Sequence, residues 1–240
     1  MGHVNEHDLL EFHRGPISSP DGDRTILCVQ PNGARQNILR EALQKYAVEF
    51  VTTAYDTLRQ ANARGFDAFV LEYWLPDWSG VSLCRDIRRL DPNAPVFFYT
   101  QAAGEEPRKR AMAAKASAYL CAPASVSAVR ALVRTLVECA DVKSASAKTH
   151  LLLAIQHELR RHPEVAANPG GRLPPRSMAM IERVAKIKAQ NVFKENGGTL
   201  ANFERWWPHC FLEVLGRAET LDHTDKTRAD KIGSPSALWL

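Results

Sequence analysis

The stretch Phe66-Asp67-Ala68-Phe69-Val70-Leu71-Glu72-Tyr73-Trp74-Leu75-Pro76-Asp77-Trp78-Ser79-Gly80 decides the fold. Its centre, Ala68–Glu72, is a short apolar run that ends in an acid and has no polar alternation. Such a run fits a strand buried on both faces. Leu75-Pro76-Asp77 and Ser79-Gly80 then break the chain, and Val81–Leu90 follows with helical spacing. The same alternation recurs on either side. Further strands are expected at Thr25–Val29, Val48–Thr52, Val96–Thr100 and Ala118–Cys121, and further helices at Ala34–Tyr46, Tyr55–Arg64, Glu105–Ala114 and Val126–Cys139. Strands alternating with helices of this length predict an α/β unit, a five-stranded parallel sheet covered on both faces. Right-handed crossovers fix most of its topology. Function in such a sheet gathers at the carboxyl ends of the strands. Those ends are Gln30-Pro31, Glu72, Thr100 and Cys121-Ala122-Pro123.

The rest of the chain reads as helix. Leu151, Leu152, Ile155 and Leu159 give Ser146–Arg161 an apolar stripe, and a break rich in Pro and Gly follows from Pro163 to Pro175. Ser177–Glu195 carries Met178, Ile181, Val184, Ile187 and Val192 on one side. Asn196-Gly197-Gly198 should stop that helix with a left-handed cap. Thr199 is then placed to cap a last helix from Leu200 to about Arg217, with Pro208 expected to bend or interrupt it. The expected organisation is a flexible leader at 1–23, the α/β unit at 24–140, a small all-α domain at 146–218 and a polar tail at 219–240.

Composition narrows the function classes. At 45% hydrophobic and 24% charged, the 240 residues can bury a real core, so a disordered chain is excluded. No stretch of 18 apolar residues exists, so no membrane span or membrane partner is expected. The first thirty residues hold His3, Glu6, His7, Asp8 and Glu11 and lack the apolar core of a secretory signal. The five cysteines form no CxxC pair, which favours reduced, buried thiols in a cytoplasmic protein over a disulfide framework or metal site. The net charge of +4 lies wholly beyond residue 140. Arg172, Arg176, Arg183, Lys186, Lys188 and Lys194 cluster there, opposed only by Glu182. They are either a contact surface for nucleic acid or an acidic partner, or a solvated helix face.

Residues 24–140 resemble the receiver domain of bacterial two-component response regulators, a flavodoxin-like (βα)5 fold. The resemblance rests on Ile26-Leu27-Cys28-Val29 as the first strand, on Phe66–Gly80 as the third strand with its Leu-Pro-Asp-x-Ser-Gly turn, on Pro95–Thr100 as the fourth strand and on Ala118–Pro123 as the fifth. It implies a phospho-acceptor pocket in which an acidic pair binds magnesium and a lysine pairs with the phosphoryl oxygens. Here the pair reads Gln30 and Pro31, the acceptor reads Glu72 and the lysine reads Ala122. Magnesium wants carboxylate oxygens, which an amide replaces poorly and a proline not at all. Without metal and cation the transfer chemistry loses its charge stabilisation. No catalytic residue, metal or cofactor is therefore expected, and no magnesium.

Two parts of the switch remain under the resemblance: Thr100 in the place of its hydroxyl and Tyr119 in the place of its aromatic ring. Glu72 then has two readings that stay open. Its longer side chain imitates the phosphorylated acid through a bond from Thr100, or the pocket has simply decayed. Trp74 and Trp78 flank the pocket and read either as a partner surface or, for Trp74, as a cover over the degenerate pocket, and Cys28 and Cys121 read as core residues. The expected function is a non-enzymatic response regulator that works without phosphorylation and controls its helical part by protein contact in signal transduction. The alternative is a transcription regulator that binds DNA through the basic helix 172–194. A protein partner is expected, and a homodimer stays open.

Overall fold

The computed structural model describes residues 24–162, 165 and 174–229, with 175 and 216–229 described by backbone alone. The leader at 1–23, Arg172 and the end of the tail from 230 onward lie outside the described residues. Five strands, β1 (Thr25–Val29), β2 (Ala47–Val51), β3 (Ala68–Leu71), β4 (Val96–Thr100) and β5 (Ala118–Cys121), form one sheet in the order β2-β1-β3-β4-β5. Every pairing is parallel. Helices α1 (Gly33–Ala42), α2 (Ala54–Ala63), α3 (Gly80–Leu90) and α4 (Glu105–Ala113) connect the strands, and α5 (Val126–Leu159) leaves the last one.

Both sheet faces are apolar, as the continuous strand runs require. Leu27, Val29, Phe69, Leu71 and Phe98 bury against α2, α3 and α4, while Ile26, Cys28, Val70, Phe97 and Tyr99 bury against α1 and α5. The strand order reverses between β1 and β3, and the crevice at such a reversal is where ligands and switches sit in open α/β sheets. N-caps start the helices around it. Asn32, Thr53, Ser79 and Ser125 each accept a backbone N–H from the first turn they open. Cys121 departs from the expected core role. It ends β5, an outer strand of the sheet, and is exposed, as is Cys139, while Cys28, Cys84 and Cys210 are buried.

The two helices expected at Val126–Cys139 and Ser146–Arg161 are one helix, α5, of 34 residues and about 51 Å. Its first half buries Val129, Val133 and Val137 on the sheet, and its second half buries Ala147, Leu151, Ile155 and Leu159 among helices. Ala140 and Ser144 continue the buried line between the halves, so the polar stretch 141–146 carries no break. Helices α6 (Pro175–Glu195) and α7 (Leu200–Ala229) pack on that second half. Phe193, Phe203, Trp207 and Phe211 form an aromatic line through their core.

The α6–α7 turn follows the expected glycine stop. Gly197 sits at φ +93°, and the amides of Gly197 and Gly198 bond back to the carbonyls of Lys194 and Phe193, the double bond pattern of a Schellman cap. Pro208 does not interrupt α7, which runs on to Ala229 and so into the stretch expected as polar tail. Buried Trp207, Cys210 and Phe211 hold the chain on both sides of the proline.

This helical unit is docked under the amino ends of the strands. Arg205 on α7 donates through Nη2 to both carboxylate oxygens of Asp67, at 2.8 and 3.0 Å, and Arg24 bonds Asp141 of α5 at 2.7 Å. Asp91 accepts the Leu200 amide at 2.7 Å, Glu204 accepts the Gly65 amide at 2.9 Å, and the Asn93 amide donates to the carbonyls of Lys194 and Gly198. Gly65 has no room for a side chain: an added Cβ would lie 2.4 Å from the Ala201 nitrogen.

Candidate functional site

The site is built at the opposite end of the sheet, where β1, β3 and β4 finish. Glu72 follows β3 directly, and its amide bonds the Val29 carbonyl, so the side chain leaves at the mouth of the crevice. It does not reach solvent, for its side chain is only 4% exposed. Oε1 accepts the Tyr73 amide at 2.8 Å and the Thr100 hydroxyl. Oε2 pairs with Arg35 Nη2 at 2.9 Å and faces the Gln30 amide nitrogen at 3.4 Å. A buried carboxylate is costly unless paired and hydrogen-bonded, and each oxygen of Glu72 has both a close donor and a second one.

Gln30 uses its whole amide. Its nitrogen also faces the Tyr99 carbonyl at 3.4 Å, and its oxygen accepts Arg35 Nε at 3.2 Å and the Asn32 amide at 3.1 Å. Pro31 is exposed and presents no donor atom toward the carboxylate. Ala122 is half-buried beyond β5 and touches the site only through the backbone, its amide donating to the Thr100 carbonyl at 2.8 Å. The five residues expected at the degenerate pocket are therefore gathered by the fold, but only Gln30, Glu72 and Thr100 interact through side chains. The groups present do not fit magnesium. One carboxylate and one amide face the crevice, and a guanidinium already occupies the carboxylate. Among the described residues no cluster of His, Cys, Asp or Glu could hold a metal ion.

Arg35 belongs to none of the motifs that mark the pocket in the sequence. It stands at the third position of α1, whose first turn holds no acid. A cation there opposes the helix dipole, which favours negative charge at that end. That mismatch is the signal in the sequence: an arginine where a helix wants an acid needs a local anion, and Glu72 supplies it.

The two residues expected as a switch, Thr100 and Tyr119, lie beside this knot. Thr100 is fully buried, and its oxygen also accepts the Ala102 amide at 3.1 Å. Tyr119 is half-buried, stacked on Phe98 with ring centroids 5.7 Å apart, and its hydroxyl donates to the Ala102 carbonyl. Burial pushes its phenol up to about 12, so it stays a donor across the physiological range. Ala102 thus joins Thr100 and Tyr119 through its own backbone. Of the two readings of Trp74, its 67% exposure, edge-on to Tyr73, does not fit a cover, and Arg35 and Gln30 close over Glu72 instead; Trp78 is also exposed. The two other acids are spent elsewhere: Asp67 in the helical docking, and Asp77 on the Ala54 and Tyr55 amides that start α2.

The basic cluster divides. Lys188 donates to both oxygens of buried Glu158, at 2.7 and 2.8 Å, and Lys194 donates to the Leu90 carbonyl at 2.9 Å. Arg176, Arg183 and Lys186 are exposed on α6. Among the described members of the cluster, Lys188 is exposed as well, although it is paired with Glu158, and only Lys194 is half-buried.

Residues 26–134 match the response regulator receiver domain family. The transcriptional regulatory protein CreB of Escherichia coli (strain K12) is 36% identical over 92 residues, which make up 38% of this chain and 40% of CreB. Similar solved structures include the BeF3-activated DrrB receiver domain, 26% identical with a TM-score of 0.46, covering 48% of this chain and 98% of that one. Another is the response regulator DrrB, a Thermotoga maritima OmpR/PhoB homolog, 27% identical with a TM-score of 0.43, covering 48% of this chain and 53% of that one. The parallel sheet in the order β2-β1-β3-β4-β5, the crevice ending in Glu72 and Thr100 and the match over 26–134 agree: these residues are a response regulator receiver domain.

Proposed function

We propose that the chain is a response regulator whose receiver signals without aspartyl phosphorylation, with Glu72 standing in for the phosphorylated acid. The observation that carries this reading is the bond from the Thr100 hydroxyl to Glu72 Oε1. It draws the switch hydroxyl onto an anion, with Tyr119 packed behind it through Ala102. The chain works as a non-enzymatic, cytoplasmic signalling protein, and its helical unit at 146–218 makes the output contact with a protein partner. No helix among the described residues is long and apolar enough to cross a membrane. The test follows the switch ring. Glu72→Ala is expected to shift the Tyr119 ring resonances and loosen its packing, while Glu72→Gln keeps an acceptor for Thr100 and shifts them less. Identical Tyr119 spectra in wild type and Glu72→Ala would overturn the reading.

A second reading, in which α6 binds DNA, is favoured by the exposed Arg176, Arg183 and Lys186 and by the likeness of the receiver to a transcriptional regulatory protein. Contacts to phosphates release counterions, so binding of this kind falls steeply with salt. A salt-sensitive shift of duplex DNA that Arg183→Ala weakens would support it, and no shift at low salt would remove it.

A further inference from the structure

We propose that Arg35 is the receiver's built-in cation, a positioning residue that aims Glu72 at Thr100 and makes the state of the crevice independent of divalent metal. This deepens the reading of Glu72 above and rests on it. Three observations converge. Arg35 grips the site at two points, Nη2 on Glu72 Oε2 at 2.9 Å and Nε on Gln30 Oε1 at 3.2 Å. Its side chain is 13% exposed, too buried to be a solvated surface charge. It also stands in the first turn of α1, against the helix dipole, with Asn32 capping its own amide.

The division of labour on the carboxylate gives the pairing its effect. Arg35 and Gln30 occupy Oε2, which leaves Oε1 for the Tyr73 amide and the Thr100 hydroxyl. Without the guanidinium, Oε2 would keep only the long contact to Gln30, and the side chain would be free to swing away from Thr100. A fixed guanidinium also supplies the positive charge that a metal would otherwise bring, with one prong of its planar fork on the carboxylate and another on Gln30.

The test reads single amides in the full chain by hydrogen exchange. The Tyr73 amide reports Glu72 directly, and the Ala102 amide reports Thr100. Arg35→Ala is expected to speed exchange at both by roughly tenfold or more, the worth of a hydrogen bond to a charged group. Arg35→Lys should restore part of the protection, and the distant Gly65 and Leu200 amides should keep theirs. Adding magnesium chloride to the wild-type protein should leave the Tyr73 and Ala102 resonances in place. Unchanged exchange at Tyr73 and Ala102 in Arg35→Ala would overturn the proposal. So would equal acceleration at Gly65 and Leu200, or a saturable magnesium shift in the wild type. Glu72→Ala separates the two levels: if it moves Tyr119 while Arg35→Ala moves nothing, Glu72 works without Arg35.

Discussion

Thr100 shows what one atom does in this crevice. Its hydroxyl donates to Glu72 and its oxygen accepts the Ala102 amide, so it joins the buried acid to the loop that follows β4. Thr100→Val keeps the shape but removes both bonds, leaving Glu72 Oε1 with the Tyr73 amide alone. The expected loss is about 1–3 kcal/mol, since a buried polar group left short of a partner carries its desolvation penalty. Urea unfolding of wild type and variant would measure it, and a change within about 0.5 kcal/mol would mean that the bond contributes little to the fold. Glu72, Thr100 and the loss of the family's acidic pair were legible in the sequence because each sits at a strand end fixed by an unmistakable apolar run. Arg35 was not, because its role exists only once α1 folds back over β3. The partners of Lys188 and Lys194 were hidden for the same reason: Glu158 and the Leu90 carbonyl lie 30 and 104 residues away in sequence.

At the scale of elements, helix ends explain most of the positioning. Asp91 illustrates this: it ends α3 and its carboxylate accepts the Leu200 amide that opens α7, so one buried acid ties two units. Burial raises its carboxyl above the ordinary value of 3.8, against the lowering effect of the amides it accepts. A carboxyl whose pKa is higher in the folded state favours folding fully below its unfolded value, and that contribution is lost as pH rises through the raised one. Asp91→Asn is therefore expected to flatten the decline of stability above about pH 4 while keeping an acceptor for Leu200. Asp91→Ala should instead lower stability by about 1–3 kcal/mol at neutral pH. Melting curves across the pH range check both, and an unchanged slope in Asp91→Asn would show that this acid does not set it. Strand boundaries were read well here, but the α5 boundary was not. Small residues, Ala140, Ser144 and Ala147, carry its buried line, and hydrophobicity alone does not mark them.

Across the whole molecule, the crevice and the helical unit occupy opposite ends of the sheet. From Asp67 to Glu72 the chain runs five residues along β3, about 16 Å. The docking is polar and specific, centred on Asp67 and Arg205, which are 4% and 10% exposed. Arg205→Ala leaves Asp67 buried with Arg24 at 3.6 Å and the Thr25 amide, and should cost about 2 kcal/mol or more. Gly65→Ala should pry the same seam by steric force alone. Both are expected to enlarge the radius of gyration in solution scattering and to let the helical unit melt before the receiver. A single cooperative transition at unchanged dimensions would show that α5 alone holds the units together. If the helical unit makes the output contact proposed above, a seam this far from Glu72 favours a surface that is permanently presented over one released by a signal in the crevice.

Whether Glu72 can still accept a phosphoryl group is open to a chemical test. The full chain is incubated with a small phosphodonor and magnesium, and its intact mass is measured alongside Glu72→Ala and Arg35→Ala. The expected result is an unmodified wild-type mass, because the acceptor carboxylate is already engaged by Thr100, Tyr73, Arg35 and Gln30. A single phosphoryl adduct on the wild type, absent from Glu72→Ala, would contradict it.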